Sequence, residues 1–231
     1  MLVLENLVIG AGAFRVSADL SLGSAERVAI IGPSGAGKST LLDAIAGFRP
    51  PHAGRILWNG VEITHDAPGK RPVAMLFQDN NLFPHLTVAQ NLGLALHPDG
   101  RLQKSDRRVI SAALERVGLA GMEDRRPSGL SGGQISRAAL ARVLLQARPI
   151  MALDEPFAAL GPALKVEMLD VVGKVADEIG AHVLMVSHDP QDAQRFASQT
   201  IFVDAGSAQG PFLTDSLFSD PPEALRAYLG R

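Results

Sequence analysis

The chain alternates short unbroken apolar runs with longer stretches in which apolar residues recur every three or four positions. The runs at 27–31 (RVAII), 73–77 (VAMLF), 150–153 (IMAL), 182–186 (HVLMV) and 200–203 (TIFV) read as buried strands, the run at 200–203 being the last. Residues 2–9 and 18–22 predict two more strands, joined through Gly10 and Gly12. Residues 55–63 predict a hairpin, because Asn59-Gly60 is the favoured pair for a tight type I′ turn and apolar residues flank it. Such strand-rich sequence predicts a small antiparallel sheet against a main parallel one.

Helices fill the gaps. Residues 40–46 predict one that stops at Gly47, and helical character resumes at Thr87. Ser105 predicts a cap for a helix with Val109, Ile110, Ala113, Leu114 and Val117 on one face and Gly118 as its stop. Residues 133–148 predict a second amphipathic helix, with Ile135, Ala138, Ala139 and residues 142–145 in register. Pro162 opens another, whose apolar face holds Leu164, Met168, Val171, Val172, Val175 and Ile179. A short helix closes the chain at 222–229. No strand pattern interrupts the stretch from Pro84 to Gly133, which reads as a helical insert. Strands alternating with helices describe a doubly wound α/β fold.

Composition narrows the function. The 231 residues are 46% apolar, enough for a full core, and the formal charge of −2 offers no basic footprint for nucleic acid. Aromatics are only 5%, which disfavours a base-stacking surface. There are no cysteines, so disulfides and thiolate metal sites are excluded. The opening residues predict no signal peptide, and no run reaches the ~20 apolar residues that span a membrane.

The strongest chemical signal is GPSGAGKST: Gly32, Pro33, Ser34, Gly35, Ala36, Gly37, Lys38, Ser39 and Thr40. It fits the G-x-x-x-x-G-K-[ST] phosphate loop and lies between a strand and a helix, as that loop requires. Glycines let backbone N–H groups converge on a polyphosphate, and the following helix adds its unpaired N–H groups and positive dipole end. Lys38 supplies a point charge at the β/γ-phosphates and Ser39 a hydroxyl for Mg²⁺.

Weaker signals accompany it. Asp154 and Glu155 end an apolar strand, where one carboxylate could hold Mg²⁺ and the next polarise a water. Ser131, Gly132, Gly133 and Gln134 open a helix, as a second anion site or simply as its cap. Gln78 follows residues 73–77 with an amide able to reach metal or water, and His188 follows the strand at 182–186. Taken singly, each has a plain structural explanation.

Together, in this order and spacing, these segments resemble the ATP-binding cassette family over essentially the whole chain. The resemblance implies one domain: a P-loop NTPase, RecA-like mixed-sheet core with an antiparallel β subdomain (1–83 and 149–231) and an inserted α-helical subdomain (84–148). It implies ATP and Mg²⁺, and a head-to-tail homodimer. Each ATP would lie between one copy's phosphate loop and the other's Ser131–Gln134 segment. Glu155 would be the general base, Ser39 and Asp154 would hold Mg²⁺, and Lys38 would contact the β/γ-phosphates. Gln78 would sense metal and attacking water, and His188 would contact the γ-phosphate.

Residues 71–91 look like those of bacterial importer subunits, and most like the ATP-binding subunits of thiamine importers. That implies a peripheral place on the cytoplasmic face of the inner membrane. It also implies a permease docked near Asn80, Asn81 and Phe83, and a periplasmic solute-binding protein as indirect partner; Leu82 and Phe83 could equally be anchors tucked into the body. Thiamine or its phosphate ester would be the cargo. Importers of iron, sulfate, molybdate and polyamine share most of these motifs, and non-transport or regulatory cassettes are the other class.

The chain departs from the family pattern in three places. Position 161 is Gly where Asp is usual, which bears on communication between the two sites. Ile135-Ser136-Arg137 replaces the usual Arg-Gln-Arg, removing one positive charge. For the aromatic that stacks on adenine, Phe14 is the nearest candidate, with Ala11 in the expected place.

Overall fold

The computed structural model describes residues 1–11, 14–23 and 26–230, with the side chain of Ala11 left aside. Gly12, expected as a strand junction, lies outside the described residues, as does the side chain of Ala11.

Ten strands form one sheet in the order β5-β4-β1-β2-β10-β9-β3-β8-β7-β6. Strands β9 (Gln199–Asp204), β3 (Arg27–Ile31), β8 (His182–Val186), β7 (Ile150–Asp154) and β6 (Val73–Leu76) are mutually parallel. Their apolar runs divide by parity, as alternation in a strand demands. Val28, Ile30, Val73, Met75, Ile150, Ala152, Leu184, Val186, Ile201 and Val203 enter one buried cluster. Ala29, Ile31, Ala74, Leu76, Met151, Leu153, Val183, Met185 and Phe202 enter the other. The first cluster is completed by Leu41, Leu42 and Ile45 of α1 (Lys38–Ala46). The second takes in α4 (Gly132–Gln146) and α5 (Pro162–Ile179), through residues such as Leu140, Val143, Met168 and Val172.

The antiparallel strands join this sheet edge to edge. β2 (Phe14–Leu22) pairs with β1 (Leu2–Ala11), which pairs with β4 (Ala53–Trp58); β5 (Val61–Glu62) completes the hairpin. Asn59 and Gly60 both take positive φ, 49° and 80°, as a type I′ turn requires. In β1 the inward residues Leu2, Leu4, Leu7 and Ile9 are not evenly spaced. A bulge between Leu4 and Leu7, with Asn6 at φ 44°, absorbs the extra residue and keeps all four in the cluster around α1.

One strand and two α-helices were not expected. β10 (Ser207–Leu213) links β9 to β2, so the strand at 200–203 is not the last. Its sequence SAQGPFL has no apolar alternation, and its pairing with β9 is interrupted between Gln209 and Phe212. The helices α6 (Pro190–Phe196) and α7 (Thr214–Ser219) are too short for a periodic signal.

Within residues 84–148, α2 (Val88–Leu96) begins with a capping box between Thr87 and Gln90. Ser105 does not cap α3 (Asp106–Arg116): it is itself helical, and the Asp106 carboxylate accepts the Gln103 N–H at 2.7 Å instead. Val109 and Ile179, placed on the apolar faces, are 48% and 41% exposed. α3 buries Ile110, Ala113 and Leu114, so Val109 falls at the edge of that stripe.

Two buried polar groups carry measurable consequences. Arg71, 1% exposed, donates to four carbonyls: Asp66 at 2.9 Å, Ala44 at 2.8 Å, Ile45 at 2.9 Å and Thr64 at 2.6 Å. Two of these are C-terminal carbonyls of α1, where the helix dipole is negative. Replacing Arg71 with Met orphans them, so unfolding in urea should show a loss of about 3 kcal/mol or more. His182 is 2% exposed and edge-on to Trp58, with ring centroids 5.0 Å apart. Burial, reinforced by the N-terminal charge, lowers its pKa from 6.5 to about 4. The unfolded chain therefore takes up this proton before the folded one does. Stability should fall as pH drops from about 6.5 to about 4, by on the order of 3 kcal/mol from this group. Denaturation midpoints of His182→Leu across that window should decline less steeply than the parent's.

Candidate functional site

The parallel strands end on a common edge, and the expected groups collect there. β3 runs into Gly32, whose φ is +146° and where a Cβ would lie 1.9 Å from the Val203 carbonyl oxygen. The chain can pass β9 at this distance only as glycine. The loop then turns through Pro33 to Gly37, and α1 starts at Lys38 with no side chain capping its first turn. The helix N–H groups therefore face the loop's interior.

Lys38 is buried, and its ammonium donates to the carbonyls of Gly32 and Pro33, both at 2.8 Å. Burial lowers its pKa, opposed by the charges of Glu155 and Asp154. Ser39 donates to Asp154 Oδ1 at 3.1 Å, joining the start of α1 to the end of β7. Asp154 is 6% exposed, and burial raises its pKa against the Ser39 hydrogen bond. A hydroxyl and a carboxylate side by side form a hard oxygen donor pair, which fits Mg²⁺. Among the described residues no group of three or more His, Asp or Glu forms a metal cluster.

Glu155 follows β7 with φ +44°, a strained value for a non-glycine residue, and its N–H donates to the Val186 carbonyl at 3.2 Å. Its carboxylate lies 3.4 Å from His188 Nδ1. Gln78 is exposed after β6. Phe14, Ser34, Gly35, Gly37, Lys38, Ser39, Thr40, Gln78 and Glu155 line an open cleft of about 330 Å³. The ring of Phe14 lies 3.3 Å from where a Cβ on Gly37 would stand, beside the phosphate loop.

Ser131–Gln134 takes no part in lining this cleft. Ser131 caps α4: its hydroxyl accepts the Gln134 N–H at 3.3 Å, and Gln134 Oε1 accepts the Ser131 N–H at 2.9 Å. A Cβ on Gly133 would meet Leu160. The stretch after Gln78 is held from two helices. Arg142 donates to the carbonyls of Asn81 at 2.8 Å and Asn80 at 3.3 Å, and Asn91 exchanges hydrogen bonds with the Phe83 backbone. Leu82 packs against the core while Phe83 is 46% exposed, so one of the two apolar residues is an anchor and the other faces out. No motif marked Arg142 or the groups that hold the His188 loop; contacts between side chains and segments distant in sequence leave no local pattern.

A family model described as ABC transporter matches residues 16–158. The chain belongs to the ABC transporter family. Among curated ABC relatives, one from Ruegeria sp. (strain TM1040) is 59% identical over 230 residues, covering all of both chains. One from Cereibacter sphaeroides is 60% identical over the same span, and one from Brucella suis is 52% identical over 92% of this chain and 88% of its own. All three are named Thiamine import ATP-binding protein ThiQ. The dimeric post-hydrolysis structure of the ATP-binding cassette MJ0796, bound to ADP and Pi, superposes with a TM-score of 0.82 at 28% identity. It covers 93% of this chain and 99% of that one. The architecture is that of ABC ATPases.

The tight passage at Gly32 yields a direct test. Gly32→Ala should lose about 2 kcal/mol or more in urea unfolding and all measurable binding of a fluorescent ATP analogue.

Proposed function

We propose that this chain hydrolyses ATP to drive import of thiamine, or its phosphate ester, through a membrane permease. The observation that carries the cargo is full-length identity of about 60% to thiamine import ATP-binding proteins. The chemistry follows from the cleft. The loop from Gly32 to Thr40 cradles the phosphates, and Lys38 leaves its carbonyls to neutralise the β/γ-oxygens. Ser39, Asp154 and Gln78 hold Mg²⁺, which when bound offsets charge on the phosphate oxygens. Glu155 takes the proton of the attacking water as its oxygen bonds to the γ-phosphorus and ADP leaves. His188 contacts the γ-phosphate, and Gln78 also orients the water. In-line phosphoryl transfer demands positioning and charge neutralisation, and these groups supply both.

Ser131, Gly132, Gly133 and Gln134 serve the nucleotide of a second copy in a homodimer. Their exclusion from this chain's own cleft supports that division. Residues 84–148 act as the helical subdomain and 1–83 with 149–231 as the core. The permease docks on the segment after Gln78, around Asn80, Asn81 and exposed Phe83, with a periplasmic binding protein beyond it. Among the described residues no helix is long and apolar enough to cross a membrane, so attachment at the cytoplasmic face runs through the permease. Phe14 provides the platform for the base. Gly161 caps α5 with no side-chain hydrogen bond, so signalling through an Asp there is absent, but every group assigned to hydrolysis is intact.

Membrane vesicles carrying this chain with its permease and binding protein should take up labelled thiamine when ATP is supplied. Glu155→Gln should abolish uptake and lower ATPase turnover by about 10²-fold or more while still binding ATP. ATPase without thiamine uptake would discard the cargo and keep the transporter; turnover unchanged in the variant would discard Glu155 as base.

A further inference from the structure

We propose that Lys165 and Tyr228 are positioning residues for His188, holding the loop that carries it from two different helices. The inference rests on the reading of His188 as a γ-phosphate contact.

The His188 side chain is 64% exposed, with Glu155 3.4 Å from its Nδ1. A ring so exposed depends for its place on the backbone that carries it. Three consecutive residues are tied. Ser187 is buried; its N–H donates to the Ile30 carbonyl at 3.2 Å, and its hydroxyl donates to Asp192 Oδ2 at 2.5 Å. The carbonyl of His188 accepts the hydroxyl of Tyr228 at 2.9 Å. Asp189 donates its N–H to Ser187 Oγ at 3.0 Å and caps α6 by accepting the Gln191 N–H at 3.0 Å.

Lys165 gathers this loop. Its ammonium lies 2.9 Å from Asp189 Oδ2 and 2.7 Å from Asp192 Oδ1, with side-chain exposures of 19%, 36% and 11% for the three residues. An exposed ion pair would contribute little, but a largely buried ammonium shared by two carboxylates has defined geometry. Burial opposes its charge, and the hydrogen bonds it donates to Asp192 and Asp189 outweigh that, raising its pKa. Lys165 stands in the first turns of α5, just after Gly161. A small cavity of about 20 Å³, room for about one water, is bounded by Lys165, Asp192, Ser187, His188 and Glu155. The bridge therefore backs directly onto the hydrolytic pair. Tyr228 reaches the same loop from α8 (Glu223–Leu229), its ring tilted against Phe202 with centroids 6.3 Å apart. The C-terminal helix thereby acquires a part in placing a group 40 residues earlier in the chain.

The test uses the full-length chain with Lys165→Met, Lys165→Arg, Tyr228→Phe and His188→Ala. Steady-state ATPase gives kcat and KM, and histidine-labelled NMR reads the six imidazoles without nucleotide. Lys165→Met should lower kcat by about 10-fold, since small misplacements cost that much, with KM for ATP unchanged and activity restored in Lys165→Arg. Tyr228→Phe removes one oxygen and keeps the ring, so it tests the tie even if Lys165→Met folds poorly. In both variants the His188 resonance should shift while the other five hold. An unmoved His188 resonance in Lys165→Met and Tyr228→Phe overturns the inference, as does unchanged kcat in both when His188→Ala is inactive. Full activity in His188→Ala overturns instead the reading on which it rests, and the surviving resonance shifts tell the two failures apart.

Discussion

Five parallel strands must bury both faces, and the site depends on that requirement. Because successive side chains point to opposite sides, β3, β8, β7, β6 and β9 each feed two apolar clusters. One face is closed by α1 and the curled antiparallel strands, the other by α4 and α5. Packing thus fixes the common edge where Gly32, Gln78, Asp154, Glu155 and Ser187-His188 leave their strands. Most of these groups emerge where their strands stop, with a glycine at position 32 and a positive φ at Glu155 completing the turns. Arg71 extends the same constraint to α1, whose C-terminal carbonyls it ties to the backbone at Asp66 and Thr64. The other end of that helix faces the phosphate loop, so the guanidinium ties down the far end of the helix whose N–H groups face that loop.

Within the cleft, charges are held in a form that a polyphosphate can displace. Hydrogen bonds from a charged donor contribute about 1.5–3 kcal/mol each. The two carbonyls of Gly32 and Pro33 therefore retain the Lys38 ammonium despite its burial. A charged phosphate oxygen accepts a shorter and stronger bond, so the same ammonium is drawn out when one arrives. Asp154 is treated alike: burial disfavours its charge, and a single hydroxyl from Ser39 offsets that in part. A cation binding there gains from a carboxylate already desolvated.

Sequence made the phosphate loop, the parallel strands and the helix start at Ser131 legible, because each is a local pattern with a local cause. The type I′ turn at Asn59-Gly60 is of the same kind. β10 was hidden because it is specified by its neighbours β9 and β2 and carries Gly210 and Pro211 where a strand pattern needs alternation. Ser105 misled because a serine before a helix is a cap only if its own backbone is extended, and here that backbone is already helical and no side chain caps α3. In the cleft, the phosphate-loop sequence and the Asp154-Glu155 pair were legible as motifs, and the side chains that tie the surrounding loops together were not. Lys165 meets Asp189 and Asp192 across more than 20 residues, and Arg142 meets Asn80 and Asn81 across more than 60.

That last pair couples two parts of the molecule mechanically. α4 is one uninterrupted helix from Gly132 to Gln146, with Ser131 capping its start and Arg142 near its end. Arg142 is half-buried, and burial lowers its pKa, so losing its carbonyl partners would leave a partly desolvated charge unpaired. These bonds tie the Asn80-Asn81 backbone to the helix. Both asparagines hold positive φ, 59° and 48°, a conformation that asparagine tolerates better than most residues and that needs an outside tether to persist. The segment after Gln78 and the cap at Ser131 are thus joined through one continuous helix.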